Sequence, residues 1–107
     1  MGRYQSSDAK AEFAKRLAAL RVMAQYTTMR DFADALGYEE ARYGRWERGE
    51  VEPGIEALCR IHEVTNASLD FLVAGDRAGP MNIRINPDYQ PPVPPTRPKR
   101  TRVNTRN

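Results

Sequence analysis

The chain has 107 residues, of which 40% are hydrophobic, and it carries a formal net charge of +3 from 17 Lys and Arg against 14 Asp and Glu. A chain of this length forms one small domain, with or without a tail, and buries too little surface for a large multi-layer enzyme. One cysteine and one histidine exclude an internal disulfide and a closed zinc site, and no apolar run reaches the length of about 18 residues that spans a membrane.

The charge is divided unevenly along the chain. Residues 1–75 hold 10 basic and 12 acidic residues, a net of −2, whereas residues 76–107 hold 7 and 2, a net of +5. Seven of the eight prolines lie after residue 79. We therefore expect a flexible N-terminus at 1–7, a folded domain at 8–75 and a proline-rich, basic tail at 76–107. The first 25 residues are charged throughout, which predicts no signal peptide and a cytosolic location.

The first predicted helix begins at Asp8, with Ser7 or Asp8 as its N-terminal cap. Its apolar residues recur at spacings of three and four and form an inward face: Phe13, Leu17, Leu20, Met23 and Ala24. Thr28 caps a second helix, which stops at Gly37 because glycine adopts the left-handed conformation easily. Its inner face is expected to hold Phe32, Ala33 and Leu36.

Two further helices follow from the same periodicity. The third runs from about Glu39 to Arg48 and ends at Gly49. The fourth begins at Pro53 and Gly54 and ends at Asn66, the usual substitute for glycine at a left-handed stop. The residues expected on or near the inner face of the fourth helix are Ile55, Leu58, Cys59, Ile61 and His62.

A fifth short helix, Leu69 to Ala74, is predicted with Ser68 as its cap and Gly75 as its stop. We expect Leu69, Leu72 and Val73 to face inward, which leaves Phe71 exposed as a partner surface. Five short helices joined by tight turns predict an all-α domain.

The periodicity changes after Gly75. Residues 81–86 alternate apolar and polar side chains, which predicts a short strand. The prolines of residues 91–95 favour polyproline II, and residues 96–107 contain five basic and no acidic residues, a composition typical of a disordered segment.

The stretch from Thr28 to Glu50 reads as a capped helix, a tight turn and a second helix that ends at a glycine. Its defining residues are Thr28, Ala33, Leu36, Gly37, Trp46, Glu47, Arg48 and Gly49, followed at fitting intervals by Pro53, Ile55, Leu58, Ile61, Ser68, Leu69 and Leu72. In this register, roughly residues 9–75 resemble the lambda-repressor/Cro-like (Xre-type) helix-turn-helix family. That family is known for a five-helix domain whose third helix enters the major groove of DNA.

The resemblance implies DNA contacts from the start of the second helix and from the exposed face of the third. The candidate DNA-binding residues are Thr28, Met29, Glu40, Ala41, Arg42, Arg45 and Arg48. Arg42 and Arg45 are the main candidates for reading bases or gripping phosphates, because a guanidinium fits guanine or a pair of phosphate oxygens. Thr28, through its hydroxyl or nearby amides, and Arg48 are candidates for the DNA backbone.

Three positions depart from the family pattern. Met29 stands where a glutamine is usual, and Glu39 and Glu40 open the third helix where polar or basic residues are usual. Glu39 either stabilises the helix dipole and pairs with Arg42, or faces DNA. Glu40 has the same two interpretations, since a carboxylate can accept from cytosine N4.

Other residues of this region are interpreted as structural. Tyr38 and Tyr43 are expected to be core rings whose hydroxyls reach solvent, and Trp46 a half-buried packing residue. The resemblance also implies an ion pair between Arg21 and Glu47, and we state that pair as a hypothesis.

The resemblance further implies assembly on DNA. Members of the family commonly bind palindromic half-sites as two-fold dimers, so we hypothesise a homodimer through the fifth helix, to which the strand at 81–86 adds a pairing. The basic tail is expected to contact the DNA backbone through Arg97, Lys99, Arg100 and Arg102.

Catalysis is not expected. Cys59 and His62 are interpreted as structural, and the sequence contains no phosphate-binding glycine loop, acid pair or nucleophile–base set, so no cofactor or metal is expected. The leading function is a sequence-specific double-stranded DNA-binding transcriptional regulator of the repressor type, cytoplasmic in a bacterium and encoded by it or by a phage. The alternative is a helix-turn-helix module that binds protein, such as an antitoxin or a phage or host adaptor. The acidic domain and a proline-rich tail that can dock on an aromatic groove favour that alternative.

Overall fold

A computed structural model describes residues 6–75, 79–80 and 82–91, with side chains from residue 9 onwards. Four α-helices follow one another as α1 (Ser6–Met23), α2 (Met29–Leu36), α3 (Glu40–Glu47) and α4 (Ile55–Thr65). A short π-helix, Asp70–Ala74, completes the set of five. The described residues contain no β-strand, so the predicted all-α architecture is confirmed. Within those residues, none of the helices is long and apolar enough to cross a membrane.

The first helix starts earlier than predicted, because Ser6 and Ser7 already lie inside α1. Its inner face is confirmed at Phe13, Leu17, Leu20 and Ala24, all buried. Met23 is the exception. It is exposed, because the chain leaves the helix at this point and only Ala24 turns back into the core.

The second helix has the predicted start and stop signals. The Thr28 hydroxyl accepts a hydrogen bond from the Asp31 amide at 3.0 Å, which satisfies one of the unpaired amides at the start of α2. Gly37 ends α2 with φ +87°, and its amide donates to the Ala33 carbonyl at 2.9 Å. This left-handed residue redirects the chain into α3 within three residues.

The inner face of α4 differs from the prediction. Ala57, Ile61 and Thr65 are buried and Leu58 is half-buried, whereas Ile55 is 76% exposed. Cys59 and His62 are also exposed. The prediction was wrong for these three residues because it weighted hydrophobic side chains and overlooked the smaller Ala57 and Thr65, which pack inward beside Ile61.

The π-helix also faces a different way from the prediction. Leu72 is buried and Phe71 is half-buried against the core, whereas Leu69 and Val73 are exposed. The wider π turn changes the angle between successive side chains, so the spacing of an ordinary helix predicts the wrong face. The Ser68 hydroxyl accepts from the Phe71 amide at 3.2 Å, as the predicted cap requires.

The segment after Gly79 packs on the domain instead of forming a strand. Met81 lies outside the described residues, and residues 82–86 are irregular. The Arg84 amide donates to the Thr65 carbonyl at the end of α4, and the Asn86 amide donates to the Ala24 carbonyl after α1 at 2.8 Å. The predicted strand is wrong because these amides find partners at helix ends, where carbonyls are left free. Residues 92–107, with the predicted polyproline and disordered segments, lie outside the described residues.

The core behind α2 and α3 is rich in aromatic rings. Tyr26 stacks on Phe32 with centroids 4.8 Å apart, and Phe32 meets the edge of Tyr43 at 5.5 Å. Trp46 packs edge-on against both Tyr43 and Tyr38. Trp46 is therefore a packing residue, as predicted, but it is fully rather than half buried. These rings hold α3 in a fixed orientation on the domain surface.

Candidate nucleic-acid interface

The short helix α3 has one buried and one exposed face. Tyr43, Gly44 and Trp46 are buried. The exposed face holds most of the predicted DNA-binding side chains: Glu40, Ala41, Arg42 and Arg45. An eight-residue helix presented in this way has the dimensions of an element that enters a major groove.

The Arg42 guanidinium lies over the ring of Tyr38, 5.0 Å from its centroid. In the described part of the chain no ion pair joins it to Glu39, so the predicted i,i+3 pair is wrong. The Tyr38 ring attracts the cation through its π face and leaves the donors at the edge of the guanidinium free to bind an acceptor. Arg45 is exposed one turn further along the helix.

The acidic residues at the start of α3 are both exposed. Glu39 precedes the helix in an extended conformation and makes no side-chain capping hydrogen bond, and Glu40 is the first helical residue. Their carboxylates lie at the positive end of the helix dipole, which stabilises them there. They also give this end of α3 a negative charge that phosphates would avoid.

The predicted contacts from α2 differ in accessibility. Thr28 is exposed and caps the helix, so its hydroxyl oxygen is already engaged as an acceptor but can still donate its proton. Met29 is half-buried and packs against the hydrophobic core. Met29 therefore packs the start of α2 onto the core and is only partly accessible to DNA.

A buried polar network fixes α3 to the end of α1. Arg21 Nε donates to the Glu47 carboxylate at 2.7 Å, so the hypothesis of an Arg21–Glu47 pair is confirmed. The Tyr43 hydroxyl donates to the same Glu47 oxygen. The hydroxyl of Tyr43 therefore does not reach solvent, contrary to prediction, because the whole residue is buried and its hydroxyl is bound to this carboxylate.

The network perturbs the pKa values of its members. Burial, followed by the hydrogen bond to Glu47 and its charge, raises the pKa of the Tyr43 hydroxyl well above its ordinary value. Burial by itself lowers the pKa of Arg21, but the hydrogen bond and charge of Glu47 outweigh it and leave that pKa raised. Both shifts keep Tyr43 and Arg21 protonated, as their hydrogen bonds to Glu47 require.

Arg48, at the end of α3, is engaged within the chain. Its Nε donates to Glu50 at 2.8 Å, and this hydrogen bond raises the pKa of Arg48 and lowers that of Glu50. Both side chains are about half exposed, at 52%. An exposed pair of this kind is weak, so a phosphate can replace Glu50 at little cost.

The remaining predictions concern the tail, a metal site and two residues of α4. The tail residues Arg97, Lys99, Arg100 and Arg102 lie outside the described residues. Within residues 6–75, 79–80 and 82–91 there is no cluster of His, Cys, Asp and Glu that could hold a metal ion. Cys59 is exposed on α4, and His62 Nδ1 is hydrogen-bonded to the Ala67 carbonyl at 2.8 Å.

The sequence did not predict that a residue after Gly75 contacts the loop that leads into α2. The loop between α1 and α2 is contacted by Asn86, from a segment that the sequence assigned to the tail. The only sequence signal is an asparagine directly before Pro87 and Asp88, which indicates a turn but not the surface on which it packs.

Comparison with known proteins agrees with this geometry. The family model HTH_3, described as Helix-turn-helix, matches residues 17–72, more than half of the chain. The chain is 35% identical over 66 residues to a protein of Bacillus subtilis (strain 168) named SPbeta prophage-derived uncharacterized HTH-type transcriptional regulator YonR. That similarity covers 62% of this chain and 60% of the relative, and no solved structure matches. The chain therefore belongs to the helix-turn-helix family of the lambda-repressor/Cro-like (Xre) type.

Proposed function

We propose that this protein is a sequence-specific double-stranded DNA-binding transcriptional regulator of the repressor type. The observation that carries the proposal is the orientation of α3, which buries Tyr43, Gly44 and Trp46 and exposes Arg42 and Arg45. Family membership and a relative named as an HTH-type transcriptional regulator support the same function.

In this proposal α3 lies in the major groove and two arginines read base edges. Arg42 approaches with its guanidinium restrained by the Tyr38 ring, so less conformational freedom is lost on binding. Arg45 extends freely from the next turn. Each can make a bidentate contact with guanine O6 and N7, the commonest specific contact between a protein and a base.

The DNA backbone is held by groups at the ends of the two helices. Thr28 and the free amides at the start of α2 bind one phosphate, because a helix N-terminus favours an anion. Arg48 exchanges its weak contact with Glu50 for a second phosphate. Ala41 packs against the bases. Glu40, the first residue of α3, repels phosphates and so disfavours placements of the protein on DNA that bring its carboxylate close to one.

The proposed assembly is a homodimer on two half-sites. Leu69, directly before the short π-helix, and Val73, within it, are 40% and 58% exposed and supply an apolar surface for a second copy. Phe71, the residue expected to do this, is half-buried in the core. Sedimentation equilibrium tests the assembly: a mass that stays monomeric at all concentrations, with and without DNA, contradicts it.

The test of the reading residues uses the full chain and a duplex selected from a random pool. Arg42→Ala and Arg45→Ala should each lower the preference for the selected duplex over random DNA by roughly 1–3 kcal/mol. Lys15→Ala is the matched control, because it removes the same charge from an exposed position on α1. Equal losses on selected and random DNA for both arginine variants would refute their role in readout.

The acidic charge of the domain favours a second function, which the same binding experiment tests. Residues 1–75 carry a net charge of −2, and Glu39 and Glu40 are exposed at the start of α3. These features favour a protein-binding module such as an antitoxin or a phage or host adaptor. Failure to bind any duplex at low salt would support this second function, since even non-specific DNA binding is strongest there.

A further inference from the structure

The loop between α1 and α2, residues 24–28, is held by donors from two different parts of the chain. Arg21 Nη1 donates to the carbonyls of Tyr26 and Thr27, each at 3.0 Å. From the other side, Asn86 donates its amide to the Ala24 carbonyl at 2.8 Å and its side chain to the Gln25 carbonyl at 3.2 Å. Four consecutive carbonyls of this loop therefore accept hydrogen bonds from outside it.

The loop needs these donors because its own conformation is unfavourable. Residues 24–27 lie between α1 and α2, so their carbonyls are not paired in the hydrogen-bond ladder of either helix. Gln25 also adopts a left-handed conformation, φ +69°, which residues other than glycine, asparagine and aspartate seldom adopt. A loop of this kind keeps one conformation only where the surrounding structure holds it.

The residue that holds the loop from the C-terminal side is itself fixed. The Asn86 side-chain oxygen accepts from the Asp88 amide at 2.9 Å, and its carbonyl accepts from the Tyr89 amide at 3.1 Å. This Asx turn orients the side-chain NH₂ group towards Gln25. We call residues 82–89 the strap. A second anchor of the strap is Arg84, whose guanidinium donates to the Glu63 and Val64 carbonyls at the end of α4.

We propose that the strap is a positioning element for DNA recognition, acting through Asn86. The inference rests on the proposed function. Asn86 fixes Gln25, and the loop places Thr28, the capping residue from which α2 begins. The opposite side of the loop is bound by Arg21, which is paired with Glu47 of α3. The loop is therefore held by the strap on one side and by Arg21, itself bound to α3, on the other, and its position sets the start of α2 relative to α3.

A substitution of one functional group isolates this role. Asn86→Asp keeps the oxygen that accepts from Asp88 but removes the NH₂ group that donates to Gln25 and places a negative charge near its carbonyl. Arg84→Ala is the matched control, because it removes the guanidinium contacts of the strap to α4 and leaves the contacts to the α1–α2 loop in place. Asn86→Ala serves as the second variant if the aspartate variant is poorly folded.

The experiment measures two quantities on the folded 107-residue chain: the affinity ratio for a selected over a random duplex at fixed salt, and amide exchange at Asp31, the donor to the Thr28 cap. We expect Asn86→Asp to lower the ratio about three- to tenfold, the effect of one net hydrogen bond, and to speed Asp31 exchange. Arg84→Ala should change neither, since removing its charge weakens binding to both duplexes alike.

Two outcomes would overturn the inference while leaving the proposed function in place. One is an unchanged affinity ratio in both Asn86 variants, and the other is an equal fall in the ratio for Asn86→Asp and Arg84→Ala, which indicates general loosening of the fold. A wild-type chain with no preference for any selected duplex would instead overturn the proposed function itself, and the inference with it.

Discussion

At the scale of single residues, one buried carboxylate, that of Glu47, links α3 to α1 through hydrogen bonds. Glu47 accepts from both Arg21 and Tyr43, and its side chain is only 8% exposed. A buried charge is costly unless it is paired and fully hydrogen-bonded, so the three residues act as a unit. The matching residue types Arg21 and Glu47 were visible in the sequence. The third member, Tyr43, was not, because the direction of its hydroxyl depends on the fold.

The Tyr43 hydroxyl gives this unit a dependence on pH. Its raised pKa means that the folded state holds the phenolic proton more tightly than the unfolded state, where tyrosine titrates near 10. The resulting stabilisation is complete below about pH 10 and is lost as the pH rises above that value. We expect Tyr43→Phe to cost about 1–3 kcal/mol at neutral pH and to lose less stability than the wild type above pH 10.

Urea unfolding at a series of pH values checks this expectation. Tyr26 contributes in the same direction, because burial raises its pKa as well, so the alkaline loss in Tyr43→Phe should be reduced and not abolished. Parallel stability curves for the wild type and Tyr43→Phe between neutral and alkaline pH would contradict this account.

At the scale of the elements, local signals predicted where helices begin and end better than which faces they bury. Thr28, Gly37, Asn66 and Gly75 were predicted as caps or stops and adopt the conformations required. These signals act through the backbone of neighbouring residues, so the sequence alone reveals them. The faces of α4 and the π-helix depend on neighbouring helices, and the prediction for Ile55 accordingly failed.

The cap of α2 gives a prediction at this scale. Thr28→Ala should lower the free energy of unfolding by about 1 kcal/mol, because the Asp31 amide loses its acceptor. Thr28→Ser is the matched control, since serine keeps the hydroxyl and caps at least as well. Urea denaturation of the 107-residue chain measures the stability of both variants. An alanine variant as stable as the serine variant would show that the cap contributes nothing.

At the scale of the whole molecule, the charge separates into a slightly acidic domain and a strongly basic C-terminal part. The net charges are −2 for residues 1–75 and +5 for residues 76–107. Composition was sufficient to predict this division. It could not predict that residues 82–89 pack on the domain, because a period-two pattern fits a strand equally well, and the accepting carbonyls come together only after α1 and α4 have folded.

The basic residues beyond the strap should contribute affinity without specificity. Replacing Arg97, Lys99, Arg100 and Arg102 together with glutamine should weaken binding about equally for all duplexes. The salt slope should also fall, by up to about 0.9 for each phosphate that the tail no longer neutralises. Fluorescence anisotropy at several salt concentrations measures both quantities. A weakening confined to the selected duplex would instead assign base readout to the tail.

We propose that α3 makes this protein a sequence-specific reader of DNA. The most direct test is a competition between a duplex selected from a random pool and random duplexes of equal length, at one physiological salt concentration. We expect the wild-type chain to prefer the selected duplex by roughly 10³-fold or more, as specific regulators do. Equal affinity for all duplexes, or no binding even at low salt, would contradict it.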